Sequence, residues 1–217
     1  SAGTYNVVAS DVNGCFATSD DVVVGPDVIN VNSISTSVAC VDDTNGSISW
    51  APSGGVGSFS VMVDDSMMVG SSIMGLAPGV YSVFVTDGNS CSSNEEIEVM
   101  NATPIEASSM VSSASCNGLS DAAVVISASG GTGSFQYSDN GNLFADEAEF
   151  NDLSAGDYTF YAQDENGCIS EIDASVTEPE AIVITGIASE GDDTGNAAID
   201  LSVTGGTPDY DYEWSGP

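Results

Sequence analysis

Three stretches of the chain repeat one thirteen-residue phrase, and that phrase constrains the fold more than any other feature. Residues 3–15 read GTYNVVASDVNGC, residues 79–91 read GVYSVFVTDGNSC and residues 156–168 read GDYTFYAQDENGC. Each opens on glycine, places tyrosine two residues on, alternates its side chains, and closes on Asp, Asn and Cys. Period-two alternation ending in Asp, Asn and Gly is a β-strand running into a tight turn. Tyr5, Tyr81 and Tyr158 are spaced by 76 and 77 residues, so the phrase marks an internal repeat.

Registered on that phrase, the chain falls into four blocks. Residues 1–26 form the end of a unit, residues 27–103 and 104–179 are complete units, and residues 180–217 begin another. Thr103-Pro104 and Glu178-Pro179 stand at matching joints, which predicts tight linkers. Partial units at both ends suggest a window on a longer array; the alternative is neighbouring chains that complete one another end to end, as in donor-strand assembly.

Within the third block, residues 105–110 alternate, and a polar loop at residues 112–121 follows. Strands are expected at 122–129 and 134–138, and residues 149–153 lead into a corner. Residues 158–163 and 169–176 then form a hairpin across Glu165-Asn166-Gly167, read as an Asn-Gly turn. No segment carries a helical apolar stripe. Six or seven short strands in about 76 residues predict an all-β fold of tandem Ig-like, antiparallel Greek-key β-sandwich repeats. Leu76 to Tyr81 and Leu153 to Tyr158 share a Leu-x-x-Gly-x-Tyr spacing, so Tyr5, Tyr81 and Tyr158 are read as tyrosine corners whose hydroxyl bonds back to nearby backbone.

Charge excludes several functions. The chain has no Lys, Arg or His against 33 acidic residues, a formal charge of −33. Nucleic acid and anionic membrane surfaces are repelled. Imidazole-activated nucleophiles, histidine metal ligands and side-chain salt bridges are impossible within the chain. Self-repulsion must be relieved by salt, bound cations or a partner. Hydrophobic residues nevertheless make up 41%, enough to build cores, and no run of about 18 apolar residues predicts a membrane-spanning helix.

The order of elements resembles the SprB-type repeat. The residues that carry the likeness are Cys116, the strand at 121–127, Gly130 to Thr132, Phe135 to Tyr137, Leu153 to Tyr158, Asp164 to Cys168 and Thr177 to Pro179. Gly54-Gly55-Val56 with Asn89-Ser90-Cys91, and Gly205 to Pro208 with Tyr212 to Trp214, echo it in the second and fourth blocks. The resemblance implies tandem modules of very long cell-surface and secreted proteins of Bacteroidota, including adhesins moved during gliding. It implies an extracellular, Ig-like array with a spacer or adhesive role, and it supplies no catalytic residues.

The cysteines recur as well. Cys40 and Cys116 lie 76 residues apart, as do Cys15 and Cys91, giving two positions per repeat. Pairing within a block joins Cys40 to Cys91 and Cys116 to Cys168. Pairing between blocks joins Cys15 to Cys40 and Cys91 to Cys116. Counting favours the first, because Gly191 occupies the next expected cysteine position and the second scheme orphans Cys168. Geometry opposes it, since the loop and the turn would sit at opposite ends of a sandwich, beyond the Cα separation of about 7 Å that a bridge tolerates. A within-block bridge would close about fifty residues and contribute on the order of 4 kcal/mol.

Asp42, Asp43 and Asn45, then Asn117 and Asp121, then Asp192 and Asp193 cluster in one loop of successive blocks. Oxygen ligands at short spacing suit calcium; the competing reading is turn chemistry, in which Asp and Asn bond their own backbone. Trp50 stands where later blocks have Ile126 and Leu201 and is read as core, whereas Trp214 has no apolar counterpart. The functional expectation is a structural or adhesive segment of a long extracellular repeat protein, self-associating in a fibre or stacked on neighbouring repeats. A module binding surface glycans or another protein is the alternative, and no enzyme is expected.

Overall fold

The computed structural model describes residues 1–191, 195 and 197–216, and all regular structure among them is β-strand. The chain divides into two units, Ser1–Ala102 and Thr103–Pro217.

The first unit opens with a hairpin of β1 (Gly3–Ser10) and β2 (Phe16–Val23). It continues with β3 (Ser33–Thr36), β4 (Gly46–Trp50), β5 (Ser60–Val63), β6 (Ser66–Met67), β7 (Ser72–Leu76), β8 (Gly79–Thr86) and β9 (Ser92–Val99). These seven form two antiparallel sheets, ordered β3-β4-β7 and β6-β5-β8-β9. Alternation decides which side chains meet between them. Ile48 and Trp50 of β4 face Val61, Val63, Val83, Val85 and Val99 of the other sheet in one buried cluster. Ile29 and Val31, just before β3, join it.

The second unit repeats the plan with β10 (Ile105–Ser112), β11 (Ala122–Gly130), β12 (Gln136–Ser138), β13 (Glu149–Leu153), β14 (Gly156–Gln163) and β15 (Ile169–Val176). Its sheets are ordered β10-β11-β13 and β12-β14-β15. Val124 and Ile126 pack against Phe160, Ala162, Ile172, Ala174 and Val176. Ile126 is thus the counterpart of Trp50, one filling with an aromatic side chain what the other fills with an aliphatic one. A final hairpin, β16 (Val183–Ser189) and β17 (Ala198–Thr204), copies β10 and β11.

The all-β sandwich expectation stands. The hairpin turn differs from it. A two-residue Asn-Gly turn needs positive φ at both central residues. Here the Asp164 N–H donates to the Cys168 carbonyl and the Gly167 N–H to the Asp164 carbonyl. Gly167 has φ of 84° and Asn166 is not left-handed, so the loop is wider, a turn followed by one left-handed residue. The first copy matches through Gly14, and the second uses Ser90 at φ of 64°.

Candidate functional site

The hairpin turn is built around one carboxylate. In the second unit Asp164 is buried. Its Oδ1 accepts the N–H groups of Asn166 and Cys168 at 3.0 and 2.9 Å, and its Oδ2 accepts the Thr132 N–H at 2.9 Å. Asp87 does the same, accepting from Asn89 and Cys91 through Oδ1 and from Val56 through Oδ2, each at 2.9 Å. Burial pushes the Asp87 carboxyl up, but the N–H groups of Cys91, Val56 and Asn89 outweigh it, so it titrates below the usual range. The acceptor set welds the turn to the Gly-Gly loop after β11 or β4. Gly131 is required there: a Cβ would stand 3.0 Å from Asp164 Oδ2 and 3.0 Å from Ile105. Asp11 keeps only the local half, accepting from Asn13 and Cys15 at 2.9 Å.

The three phrase tyrosines each donate a hydroxyl hydrogen bond four residues back. Tyr81 bonds the Ala77 carbonyl at 2.9 Å, Tyr158 the Ser154 carbonyl at 3.0 Å, and Tyr5 the Ser1 carbonyl at 2.5 Å. This fixes the corner entering β8, β14 and β1. In the partial unit Tyr210 similarly donates to the Gly205 carbonyl.

The loop acids are occupied locally. Asp43 accepts from the Cys40 N–H and the Asn45 amide, and Asn45 accepts from the Ala39 N–H. Asp42 and Asn101 exchange two hydrogen bonds. Asp121 accepts the Ser115 hydroxyl and N–H, which together hold its carboxyl below the usual range. Asn117 donates to Glu178 and the Pro179 carbonyl. Asp192 and Asp193 lie outside the described residues. Among the described residues no group of three or more acidic or thiol side chains gathers as a cation cage; Asp43, Asn45 and Asp121 each accept a backbone N–H of their own loop, which is turn chemistry. Glu178, whose Oε2 takes the Gly118 N–H at 2.7 Å, was read in the sequence only as part of Thr-Glu-Pro. Its fixed place at the end of a unit was the signal that it anchors the loop.

The cysteine pairings read from the sequence are both corrected. Cys15, Cys91 and Cys116 are exposed free thiols, and Cys40 and Cys168 are the disulfide-bonded ones. The Cys40–Cys91 and Cys116–Cys168 bridges fail for a geometric reason. Asp42 bonds Asn101, just past the end of β9, while Cys91 sits just before its start. Eight residues at about 3.3 Å each separate them by about 26 Å, far beyond disulfide reach. Cys15–Cys40 and Cys91–Cys116 fail because Cys15, Cys91 and Cys116 carry no bridge. Thus each repeat has a loop cysteine (Cys40, Cys116) where the sandwich ends and a turn cysteine (Cys15, Cys91, Cys168) where it begins.

In the second unit, Cys116 lines a cavity of about 350 Å³ with Ser115, Asn117, Glu180, Gly206 and Thr207. Gly206 and Thr207 are the counterparts of Gly131 and Thr132, the residues that seat Asp164.

Fold and hardware together define a tandem all-β repeat protein in which one acidic turn, one tyrosine corner and two cysteine positions recur from unit to unit. The SprB repeat family matches the chain at residues 32–60, 108–143 and 193–217. The first two segments run from the first strand of a unit through the cysteine loop and the second strand to the Gly-Gly loop, and the third covers β17 and the Gly-Gly loop after it; SprB repeats are typical of cell-surface proteins. No curated protein matches the chain.

Proposed function

We propose that this chain is a structural and adhesive segment of a long extracellular repeat protein, of the kind that forms threads or surface adhesins in Bacteroidota. The observation that carries the reading is that the units share their internal hardware, Asp87 and Asp164, Tyr81 and Tyr158, and differ on their surfaces. A catalytic site would be singular. A stack of self-contained sandwiches provides length at little sequence cost and folds unit by unit. The chain's charge keeps such a thread extended and unaggregated. The role is non-enzymatic.

The test is imaging of the native protein with an antibody against this region. Labelled threads on the cell exterior, lost on protease shaving together with attachment to a surface, support the reading. An intracellular label, or a compact particle that turns over a substrate, refutes it.

A further inference from the structure

Asn-Gly is the dipeptide most prone to deamidation, because glycine has no side chain to keep its nitrogen from the neighbouring amide. The chain carries five, at Asn13, Asn45, Asn117, Asn140 and Asn166. We infer that Asn117 is a modification site kept silent by the fold: Glu178 locks Asn117-Gly118 against conversion to aspartate and isoaspartate. The inference stands apart from the repeat-array reading.

The chemistry sets what a lock must do. The Gly118 nitrogen gives up its proton and attacks Asn117 Cγ, the Asn117 amide nitrogen takes a proton and leaves as ammonia, and a cyclic imide results. Water then opens either imide carbonyl, leaving aspartate, or isoaspartate with an extra methylene in the backbone. No oxidant or cofactor is needed. The attack requires the planar peptide between the two residues to turn about the Asn117 Cα–C bond until its nitrogen faces the side chain.

That peptide is the soft part of the cysteine loop. The Leu119 N–H donates to the Cys116 carbonyl at 3.2 Å and Gly118 has φ of 79°, a type II turn with Asn117-Gly118 as its central pair. The closing bond joins the outer residues and does not resist rotation of the central peptide. Glu178 does. Its Oε2 accepts the Gly118 N–H at 2.7 Å and its Oε1 accepts from Asn117 Nδ2 at 2.8 Å, while the same Nδ2 donates to the Pro179 carbonyl at 3.2 Å. Nucleophile and leaving group are tied to the two oxygens of one carboxylate, and neither moves without breaking a charge-assisted bond.

The first unit supplies a comparison. Asn101 stands where Glu178 does, and its Oδ1 takes the Asp42 N–H at 3.0 Å, as Glu178 takes that of Gly118. Val41-Asp42 holds the place of Asn117-Gly118 there. The clamp on the loop N–H therefore belongs to both units, and the added bond to an asparagine amide accompanies the Asn-Gly pair. Other dipeptides of the second unit are held by different groups, the Gly141 N–H by Ser138 Oγ and the Gly167 N–H by the Asp164 carbonyl, each at 3.0 Å. Conversion of Asn117 is one-way in effect, because an ionised acid has no N–H for Glu178 or Pro179 and sets one carboxylate against another.

The experiment incubates the full 217-residue chain at neutral pH, folded and in urea, and follows the five dipeptides by peptide mass spectrometry after chymotryptic or glutamate-specific digestion, since trypsin finds no site. In urea all five convert. In the folded chain Asn117 is expected to convert at least about tenfold more slowly, and Glu178→Ala to restore about tenfold, the scale set by losing two charge-assisted bonds. Asn140 and Asn166 keep their folded rates in that variant and report that the same unit is still folded. Glu178→Gln, which keeps one acceptor oxygen, falls between. Conversion of Asn117 as fast folded as in urea, or an unchanged rate in Glu178→Ala, overturns the inference. A slower Asn117 in that variant overturns it too, because the carboxylate is then the base for the attack. So does a rise shared by Asn140 and Asn166, which means that Glu178 holds the whole unit rather than the dipeptide.

Discussion

Replacing Asp164 with asparagine tests whether the repeated acid is a structural bolt or only one more surface charge. The side chain keeps its shape, and its remaining oxygen can still accept from Asn166 and Cys168. Those two bonds drop from charge-assisted to neutral, about half their strength. The amide NH₂ turns toward the Thr132 N–H, so a 2.9 Å hydrogen bond becomes a donor facing a donor. An unmet buried donor costs about 1–3 kcal/mol, and the two weakened bonds add a smaller loss, giving about 2–4 kcal/mol in total. Removing one negative charge from a chain of −33 works in the opposite direction by a few tenths of a kcal/mol at moderate salt. Asp157→Asn, on exposed β14 surface, isolates that second effect and is expected to be neutral or slightly stabilising. The assay is urea unfolding followed by hydrogen exchange of the β14–β15 amides, with fluorescence of buried Trp50 as an internal control in the other unit. Asp164→Asn shifts the first signal and leaves the second unchanged. If it is no worse than Asp157→Asn, the turn is not held by its carboxylate.

Four further outcomes follow from the same geometry. Gly167→Ala meets nothing within 4 Å of the added Cβ but holds φ at 84°, so backbone strain alone is expected to cost about 1 kcal/mol, read from urea midpoints. Phe160→Ala removes a ring that is 1% exposed and packs 4.6 Å from Phe150; a loss of about 3–5 kcal/mol is expected in the same assay. The carboxyls of Asp87, Asp121 and Glu165 are held low, the last by the Ser134 N–H and hydroxyl. A depressed folded pKa contributes stability above the unfolded value, near 4, and loses it as pH falls through the folded value, so pH-dependent melting should show that contribution intact at neutrality and falling away below about pH 4. Finally, if the loop acids serve only as turn acceptors, calcium and magnesium raise the melting temperature equally at matched ionic strength; a selective rise with micromolar calcium would restore a specific site.

The all-β class, the strand positions and the core residues were legible because each rests on periodicity. Trp50, Ile126 and Leu201 align by counting residues from the Gly-Gly loop, and two of the three are buried in finished cores. The turn was misread because Asn-Gly dominates the signal in sequence, whereas Asp164 four residues before Cys168 gathers the backbone into a wider loop. The cysteines were misread for a related reason. Counting favoured the within-block pairing, while the objection that loop and turn lie at opposite ends of a sandwich is the one the structure bears out, since β9 carries Cys91 and Asn101 to opposite ends. The loop acids admitted two readings because spacing alone cannot tell an oxygen facing a cation from one facing an N–H.

The absence of basic residues looks less strange once the partners of the carboxylates are followed. Among the described residues, the acids with a structural role are satisfied by backbone N–H groups and by neutral hydroxyl and amide side chains. Asp87 and Asp164 take backbone N–H groups, Glu178 takes that of Gly118, and Glu95, Asp121 and Glu165 take N–H and hydroxyl groups of Ser33, Ser115 and Ser134. A lysine or arginine partner would add a long side chain to order and an ion pair worth little at an exposed site. Backbone donors are already ordered by the strands that carry them, so the fold loses nothing by doing without cations. What remains is the mutual repulsion of acids on the outward faces, which salt screens over about 8 Å at physiological strength.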